Sequence, residues 1–412
     1  MSAGRNTVLI TGTESDNPFA IDIGVYCGQM TDIADVISLK TFANTEFCPR
    51  FISDEKDMDD IGNKLSGASV VMVSTASNTL TRNELAMRNM LVARAAKDNG
   101  AGKVVLVEPD LFFSAQDRGP RPEHGDVTWT RGSKDYKKFD GQPFSSRFYA
   151  QALSLAGVDA VITIHNHSES VQRLFREVMK GEFVNLNPAE VFADYIRNSD
   201  VAPGLSSGAG LLVCAPDDGA REFATQVHDY LNSSTAGLLY FAKQRRDERS
   251  VSSFISPESP CPEKSIAGKD VIVFDDMVRT GNTIRECCRQ LKEAGAGRVV
   301  FFVTHFYSSP EVRETLATQA VDEIVTTNTL PSILNRDMQG RLRRKLTVLK
   351  LEKWISDYTM RYIGHQPSDP CGITYTIDMS SKNPRWSLDA DHSTRTIDAQ
   401  PALDFSEPVE RV

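Results

Sequence analysis

The fold is most directly indicated by residues 271–295, which read VIVFDDMVRTGNTIRECCRQLKEAG. An aliphatic run is followed by two aspartates, a short turn containing threonine and glycine, and an amphipathic stretch that ends near Gly295. This order predicts a buried strand, a loop and a helix. Because ligands of open parallel sheets bind outside the carboxyl ends of the strands, we expect the loop to lie at a binding edge.

Similar aliphatic runs recur along the chain, each followed by a turn and a stretch of helical period. They cover residues 70–73, 104–107, 160–164, 211–214 and 299–303. Continuous apolar strands without alternation are typical of a parallel sheet covered on both faces. The pattern occurs once before residue 187 and once after it. We therefore predict an α/β protein with two units, 1–187 and 188–351, each a mainly parallel sheet flanked by helices, followed by a helix and a polar tail in 352–412.

The segments between these runs give further predictions. One helix is expected to bury a stripe of apolar side chains at helical spacing, formed by Met87, Met90, Leu91 and Ala95. Residues 118–146 and 243–268 are rich in charge, glycine or proline and are predicted to be long loops, which are often functional. The chain after residue 365 is predicted to have little structure of its own.

Composition excludes several classes of protein. Of the 412 residues, 40% are hydrophobic and 25% are charged, which argues against a disordered, collagen-like or coiled-coil chain. The net charge of -9 argues against nucleic acid as the main partner. No apolar run reaches the ~20 residues that cross a membrane, and the first ten residues lack a secretory signal, so a cytoplasmic protein is expected. The seven cysteines form no CxxC pair, which argues against a disulfide framework or a zinc site.

The turn after the aspartates suits a phosphorylated sugar. Residues 280–283, Thr-Gly-Asn-Thr, supply hydroxyls and backbone N–H groups at the start of a helix, where a phosphate binds readily. Asp275 and Asp276 are expected beside that phosphate, where they can accept hydrogen bonds from sugar hydroxyls or hold Mg²⁺. The residues predicted to bind the ribose phosphate are Asp275, Asp276, Arg279, Thr280, Gly281, Asn282 and Thr283.

A purely structural alternative stays open for this turn. Thr283 can cap the helix through a capping box with Glu286, while the two aspartates merely end a strand. Both descriptions can hold together. The chain has no GxxxxGK[ST] motif, so a Walker-type nucleotide site is excluded.

This loop resembles the ribose-5-phosphate loop of the type I phosphoribosyltransferase fold. Together with four further stretches in the same order, it makes the chain similar to the ribose-phosphate pyrophosphokinases, over about residues 8 to 360. The resemblance implies transfer of the β,γ-diphosphate of MgATP to the anomeric hydroxyl of ribose 5-phosphate, giving 5-phosphoribosyl 1-diphosphate and AMP. It also implies Mg²⁺ as the cofactor, ATP and ribose 5-phosphate or a related ribosyl phosphate as ligands, and a homo-oligomer.

Two of these stretches resemble the family's ATP-binding elements. Residues 42–46, FANTE, are similar to F-x-N/D-x-E, and residues 113–118, FSAQDR, lie where the family has Y-A-R-Q-D-R. The family arginine is replaced here by Ala115. The residues that the resemblance assigns to ATP binding are Phe42, Asn44, Glu46, Gln116, Asp117 and Arg118.

Two further stretches resemble the family's metal-binding elements. Residues 162–167, ITIHNH, are similar to a strand ending in D-L-H, which implies that His167 helps to bind the Mg²⁺ carried by ATP. His165 replaces the family aspartate. Residues 215–219, APDDG, are similar to S-P-D-x-G, which implies a Mg²⁺-associated role for Asp217.

The last stretch, Lys-Gln-Arg at 243–245, matches the family's K-x-R on a flexible catalytic loop. The match implies that Lys243 and Arg245 stabilise the charge of the transferring diphosphate. A solvated basic patch is the alternative, because Arg246 and Arg249 lie nearby.

Departures from the family pattern leave three other functions open. Arg279 stands where the family has aspartate, and its charge favours a substrate with more phosphate than ribose 5-phosphate. Gly281 and Asn282 stand where a small residue and glycine are usual, and asparagine can adopt the left-handed conformation that a tight turn needs. The alternatives are a diphosphokinase for another ribosyl phosphate such as ADP-ribose, a non-catalytic regulatory subunit, and a salvage phosphoribosyltransferase.

Overall fold

The structure is a computed structural model that describes residues 7–14, 17–51, 58–125, 127, 129–245, 251–366, 374–378 and 382–383. The strands are β1 Val8–Gly12, β2 Ile37–Thr41, β3 Phe47–Phe51, β4 Ser69–Val73, β5 Lys103–Val107, β6 Ala160–Ile164, β7 Phe183–Leu186, β8 Leu211–Ala215, β9 Ala236–Arg245, β10 Val251–Ile255, β11 Asp270–Val278, β12 Arg298–Phe306, β13 Glu323–Thr327, β14 Leu346–Lys350 and β15 Thr376–Asp378. The helices are α1 Pro18–Tyr26, α2 Ile33–Val36, α3 Arg82–Asp98, α4 Ser133–Lys138, α5 Ser145–Ala156, α6 Glu169–Val178, α7 Ala189–Asn198, α8 Pro203–Ser207, α9 Arg221–Leu231, α10 Asn282–Glu293, α11 Pro310–Thr315, α12 Arg336–Gln339 and α13 Glu352–Tyr362.

Two mainly parallel sheets organise the chain. The first sheet has the parallel order β1-β4-β5-β6-β7. The second has the order β10-β9-β8-β11-β12-β13-β14-β15, in which β10 and β15 are antiparallel edges. A separate antiparallel hairpin is formed by β2 and β3. Each of the six aliphatic runs lies in a strand, and the predicted α/β class is confirmed.

The hydrophobic core continues from one sheet to the other. Four aromatic rings, those of Phe192, Phe223, Phe274 and Phe302, pack between α7, α9 and the second sheet, with centroid distances of 5.2–6.2 Å. The same buried cluster includes Val70 and Val105 of the first sheet. The carboxyl edges of both sheets are therefore held in a defined relation.

The predicted stripe on α3 is buried only in part. Met87 is 53% exposed and Leu91 is 36% exposed, whereas Met90 and Ala95 are half-buried and pack against the core. The helix instead buries a face with smaller residues, namely Leu85, Ala86, Asn89, Val92, Ala93 and Ala96. Alanine lets a helix approach its neighbours closely, so this face rather than the methionine face packs inward.

Both segments predicted to be long loops contain regular structure. Residues 118–146 include α4 and the start of α5. Residues 243–245 continue β9, and β10 pairs with them in antiparallel register, Arg245 opposite Val251 and Lys243 opposite Ser253. Lys243 and Arg245 thus lie on a strand of a hairpin, and their predicted position on a flexible loop is wrong.

A short part of the chain after residue 365 forms a strand, which the sequence did not predict. Thr376–Asp378 pairs with β14, while Thr374 donates a hydrogen bond to Asp357 (2.9 Å) and Tyr375 to Asp194 (3.2 Å). The preceding helix α13 packs on α1. Among the described residues, no helix is both long enough and apolar enough to cross a bilayer.

Candidate active site

A cavity of about 600 Å³ opens where the carboxyl end of β6 faces those of β8 and β11. Its lining is strongly polar. Its charged and titratable side chains are Asp117, His165, His167, Glu169, Asp218, Glu222 and Asp276, and its carboxamides are Asn166, Gln172, Asn185, Asn187 and Gln226. This volume is typical of small-molecule sites, so the cavity is the candidate active site.

The paired aspartates occupy the end of β11, as the sequence predicts. The backbone N–H of Asp276 donates to Asp275 Oδ1 over 3.0 Å, which fixes the turn. Burial raises the pKa of Asp275 well above its usual range, and the negative charges of Asp276 and Asp217 raise it further. These acids repel one another, so a cation or a hydroxyl-bearing ligand would stabilise the site.

His167, which follows β6 of the first sheet, lies close to Asp276. Its Nδ1 lies 3.3 Å from Asp276 Oδ2. That oxygen is buried, and it accepts no hydrogen bond from the part of the chain that the structure describes. A buried carboxylate oxygen without a donor is costly, which marks Asp276 as a group that awaits a ligand.

His165 serves a different purpose from the aspartate that it replaces. Its ring stacks on Phe223 with a centroid distance of 4.0 Å, and its Nδ1 is 2.6 Å from Thr304 Oγ1. Burial lowers the pKa of His165 to about 3, so the ring is neutral at pH 7. Its backbone φ of 46° is left-handed, which is uncommon for a residue other than glycine and occurs often at functional sites.

The turn before α10 requires glycine at position 281. Gly281 has φ 77°, and a Cβ there would lie 3.2 Å from Thr315 Cγ2. Gly281 therefore supplies the left-handed conformation, and Asn282 is the first residue of the helix. Thr280 and Asn282 are exposed and Thr283 is half-buried.

The alternative capping box is not formed. Gly281 is the N-cap, and α10 has no side-chain cap hydrogen bond. Glu286 instead accepts hydrogen bonds from Arg289 (2.9 Å) and Gln290 (2.8 Å). Because no side chain caps α10, the first N–H groups of the helix suit a phosphate.

Arg279 extends from this turn toward the first sheet. Its guanidinium lies 5.7 Å from the ring centre of Tyr307. Tyr307 OH donates to Asp110 Oδ2 over 2.6 Å, and Arg82 pairs with the same carboxylate. The Arg279 guanidinium therefore lies near a tyrosine whose hydroxyl is hydrogen-bonded to the buried carboxylate of Asp110.

The residues assigned to ATP are only partly brought together. Asp117 lines the cavity, where its Oδ2 accepts a hydrogen bond from Ser168 Oγ over 3.1 Å. Arg118 Nε lies 3.4 Å from Asp117 Oδ1, behind the wall, and Gln116 is exposed. The remaining three, Phe42, Asn44 and Glu46, are on the turn of the β2–β3 hairpin and do not line this cavity.

Asp217 and the basic pair are at the margins of the site. Asp217 caps a short turn by accepting from Gly219 N–H over 3.1 Å, and the next two residues line the cavity. The backbone of Lys243 and Arg245 lies on β9, the strand that pairs with β8. Their assignment stays a prediction.

Several lining residues were missed in the sequence. The carboxamides carry no recognisable spacing, although Asn166 stands between the two histidines. Trp129 lies within a segment that reads as a charged loop, and only the length of that loop signals a function.

The donor set suits Mg²⁺ only when a ligand completes it. Within the ranges that the structure describes, no three His, Cys, Asp or Glu side chains form a metal site by themselves. Asp276 with its unsatisfied oxygen, Asp217 and His167 can supply a few ligands, and phosphate oxygens and water can supply the others. The residues therefore fit a Mg²⁺ ion that arrives with a nucleotide.

Comparison with known proteins finds similarity to a phosphoribosyl transferase domain and to ribose-phosphate pyrophosphokinases. A phosphoribosyl transferase domain model matches residues 193–329. Ribose-phosphate pyrophosphokinase from Haemophilus influenzae is 26% identical over 84% of this chain and 98% of its own length. The enzyme of the same name from Thermococcus kodakarensis is 29% identical over 70% of this chain and 86% of its own length. Phosphoribosylpyrophosphate synthetase from Mycobacterium smegmatis superposes with a TM-score of 0.65 at 22% identity, covering 87% of this chain and 98% of its own, so its fold is shared.

Proposed function

We propose that this chain, which is similar to the ribose-phosphate pyrophosphokinases over most of its length, transfers the β,γ-diphosphate of MgATP to ribose 5-phosphate. One observation carries the proposal. His167 of the first sheet approaches Asp276 of the second to 3.3 Å, which joins the expected nucleotide side to the ribose-phosphate turn.

In this reaction the anomeric hydroxyl attacks the β-phosphorus in line. A bond forms between that oxygen and the β-phosphorus, the bond from the β-phosphorus to the bridging oxygen of AMP breaks, and the hydroxyl proton passes to water. Such transfers need little covalent help and depend on positioning and charge neutralisation. No nucleophilic side chain is required.

The residues divide this work between them. Asp275 and Asp276 orient the ribose hydroxyls, while Gly281, Asn282 and Thr283 hold the 5-phosphate through the first N–H groups of α10. The remaining assigned cations, Lys243 and Arg245, neutralise the transferring diphosphate. What Mg²⁺ supplies when bound is further neutralisation of the phosphate oxygens, with His167, Asp217 and Asp276 as its protein ligands.

The division of the chain follows from the same proposal. The unit 1–187 supplies the nucleotide side through Asp117 and His167, and the unit 188–351 supplies the sugar side. The third segment, 352–412, contributes the helix α13 and the edge strand β15 to the scaffold.

The test is direct. Purified protein is mixed with MgATP and ribose 5-phosphate, and phosphorus NMR follows the nucleotide and the sugar. We expect AMP and 5-phosphoribosyl 1-diphosphate in equal amounts, and neither without the sugar phosphate. Release of ADP, or no reaction, would contradict the proposal.

A second acceptor is favoured by Arg279. Its guanidinium lies beside the phosphate turn and is held over Tyr307, so it can contact an additional phosphate on the acceptor. The same assay with ADP-ribose distinguishes this case, because the terminal ribose would then be diphosphorylated. Pyrophosphate release that depends on an added nucleobase would indicate a salvage phosphoribosyltransferase. If no acceptor leads to AMP release, the chain would be a non-catalytic regulatory subunit.

A further inference from the structure

We infer that Trp129 forms the stacking surface for the purine of an adenine nucleotide bound in the cavity. This inference rests on the proposed function, since it requires that the site handles adenine nucleotides. It adds a specificity residue that the resemblance does not supply.

Trp129 combines cavity position with exposure. It lines the cavity together with His167 and Asp276, and 48% of the residue is exposed. A half-exposed indole at the wall of a polar cavity leaves a large flat surface in water. Such surfaces are typical platforms for nucleobases, because every base has a π face.

The ring is held in place by the segment that carries it. The Arg118 guanidinium lies 5.6 Å from the Trp129 ring centre and 4.9 Å from that of Phe139. Arg118 also pairs with Asp135 over 3.0 Å. A cation behind the indole and a packed phenyl ring beneath the cation give the platform a defined position.

A second arginine, Arg131, ties together residues on the N-terminal side of Trp129. Arg131, whose side chain is only 4% exposed, pairs with Asp135 Oδ2 at 2.5 Å. It donates to the carbonyl oxygens of Gly119 (2.7 Å), His124 (3.0 Å) and Arg121 (3.3 Å). Contacts of this kind restrain an element before a ligand arrives, which lowers the entropy cost of binding.

The rest of the cavity offers partners for the edge of a base. Carboxamides present both donors and acceptors, since each has two N–H groups and an oxygen with two lone pairs. Examples are Gln172, which donates to Asn166 O over 2.7 Å, and Asn187, which donates to Gln226 Oε1 over 2.5 Å. An exposed indole and several carboxamides in the lining of one cavity suit a purine better than they suit a sugar.

The elements that the resemblance assigns to adenine do not occupy this cavity. Phe42 lies on the β2–β3 hairpin and does not line it, and the family arginine is Ala115. Within this chain, the exposed aromatic ring among the described residues that line the cavity is that of Trp129.

The purine can come from the donor or from the acceptor, because ATP and ADP-ribose carry the same base. Two matched pairs of probes separate them. For the donor, Mg²⁺-α,β-methylene-ATP is compared with Mg²⁺-tripolyphosphate, which lacks the nucleoside. For the acceptor, ADP-ribose is compared with ribose 5-phosphate.

The experiment measures the dissociation constants of these four probes by calorimetry for wild type, Trp129→Ala, Trp129→Leu and Trp129→Phe. Loss of one base–aromatic stack should weaken binding of a base-bearing probe about 10-fold or more in the Ala and Leu variants. Trp129→Phe should retain most of the affinity. Phe148→Ala removes an aromatic ring that is 68% exposed outside the cavity and serves as the matched control.

The outcomes are decisive. Selective weakening of α,β-methylene-ATP identifies the donor purine, and selective weakening of ADP-ribose identifies the acceptor purine. Unchanged affinities, or equal losses for the base-free probes, would overturn the inference, the latter because they indicate a structural role. Because Leu and Phe keep an apolar side chain at this position, they test the inference even if the Ala variant unfolds.

Failure of the inference can be told apart from failure of the proposed function. If α,β-methylene-ATP binds and depends on Trp129 but no AMP forms from ATP with any acceptor, the stacking site stands and the reaction does not. If AMP forms at a normal rate in all Trp129 variants with unchanged affinities, the reaction stands and the stacking site does not.

Discussion

Acidic residues end a central strand in both sheets, but their surroundings differ. After β5, Glu108 accepts from Phe112 N–H (2.8 Å), Asn89 (2.9 Å) and Tyr149 (2.8 Å), and Asp110 accepts from Arg82 and Tyr307. On β11, Asp276 has a buried oxygen with no hydrogen bond from the described residues. The protein donates hydrogen bonds to both acids of the first pair, whereas one oxygen of Asp276 in the second pair receives none from the described residues. We therefore expect Glu108 and Asp110 to stabilise the fold and Asp276 to bind a ligand.

The largest effect is expected from removing Lys243, a cation that we assign to the diphosphate transferred in the cavity. Lys243→Ala should fold normally and lose turnover by about 10²–10³, because charge that grows on the diphosphate is no longer neutralised. AMP release and the melting temperature measure the two effects. Wild-type turnover in this variant would remove Lys243 from the mechanism.

Asp276→Asn tests whether the β11 pair is held at a cost to stability. We expect turnover to fall by about 10²-fold while the melting temperature stays equal or rises, since a negative charge beside the buried Asp275 is removed. Asp229→Asn, at an exposed position on α9, is the control and should change neither quantity. A variant destabilised as strongly as it is inactivated would make Asp276 a structural residue.

Asp110→Asn tests the opposite expectation for the satisfied pair. Removal of the charge leaves Arg82 without its partner and weakens the Tyr307 hydrogen bond, so the free energy of unfolding should fall by about 2–4 kcal/mol. Denaturant titration measures it. Asp98→Asn, which breaks an exposed pair with Arg94, should cost about 0.5 kcal/mol or less. Equal losses in the two variants would contradict the distinction.

Glu108 should make the free energy of unfolding depend on pH. Burial raises its pKa from 4.5 to about 8, although hydrogen bonds from Phe112 and Tyr149 oppose this. Between these values the folded chain keeps a proton that the unfolded chain has released, so stability falls as pH rises, by at most about 1.4 kcal/mol per unit. Glu108→Gln stays neutral and should lack this contribution. Unfolding of both proteins at pH 6 and pH 7 measures the difference, and parallel pH slopes would contradict it.

The strands and the aspartate turn were predictable because they depend on local signals. A continuous aliphatic run such as 271–274 is typical of a strand that is covered on both faces. Asp275, Asp276 and Gly281 follow this run at fixed distances along the chain. The position of Lys243 was not predictable in this way. Its strand exists because β10 pairs with it, and such pairing between separate segments leaves little trace in local composition.

Side-chain size was a poor guide to burial. Met87 and Leu91 are larger than Ala86 and Ala93, yet the alanines face the core. Trp129 was missed because its place in the cavity lining depends on tertiary structure, which local composition does not reveal. The sequence therefore predicted the ends of the strands better than the walls of the cavity.

The packing of α13 on α1 has a consequence for biosynthesis. Ser356 Oγ reaches Ile23 O across 333 positions of sequence, and Lys350 pairs with Asp22. During translation, the face of α1 therefore stays uncovered until the ribosome has released nearly the whole chain. We expect nascent chains stalled before codon 352 to bind chaperones through that face, because domains of this size otherwise begin to fold in the order of their synthesis.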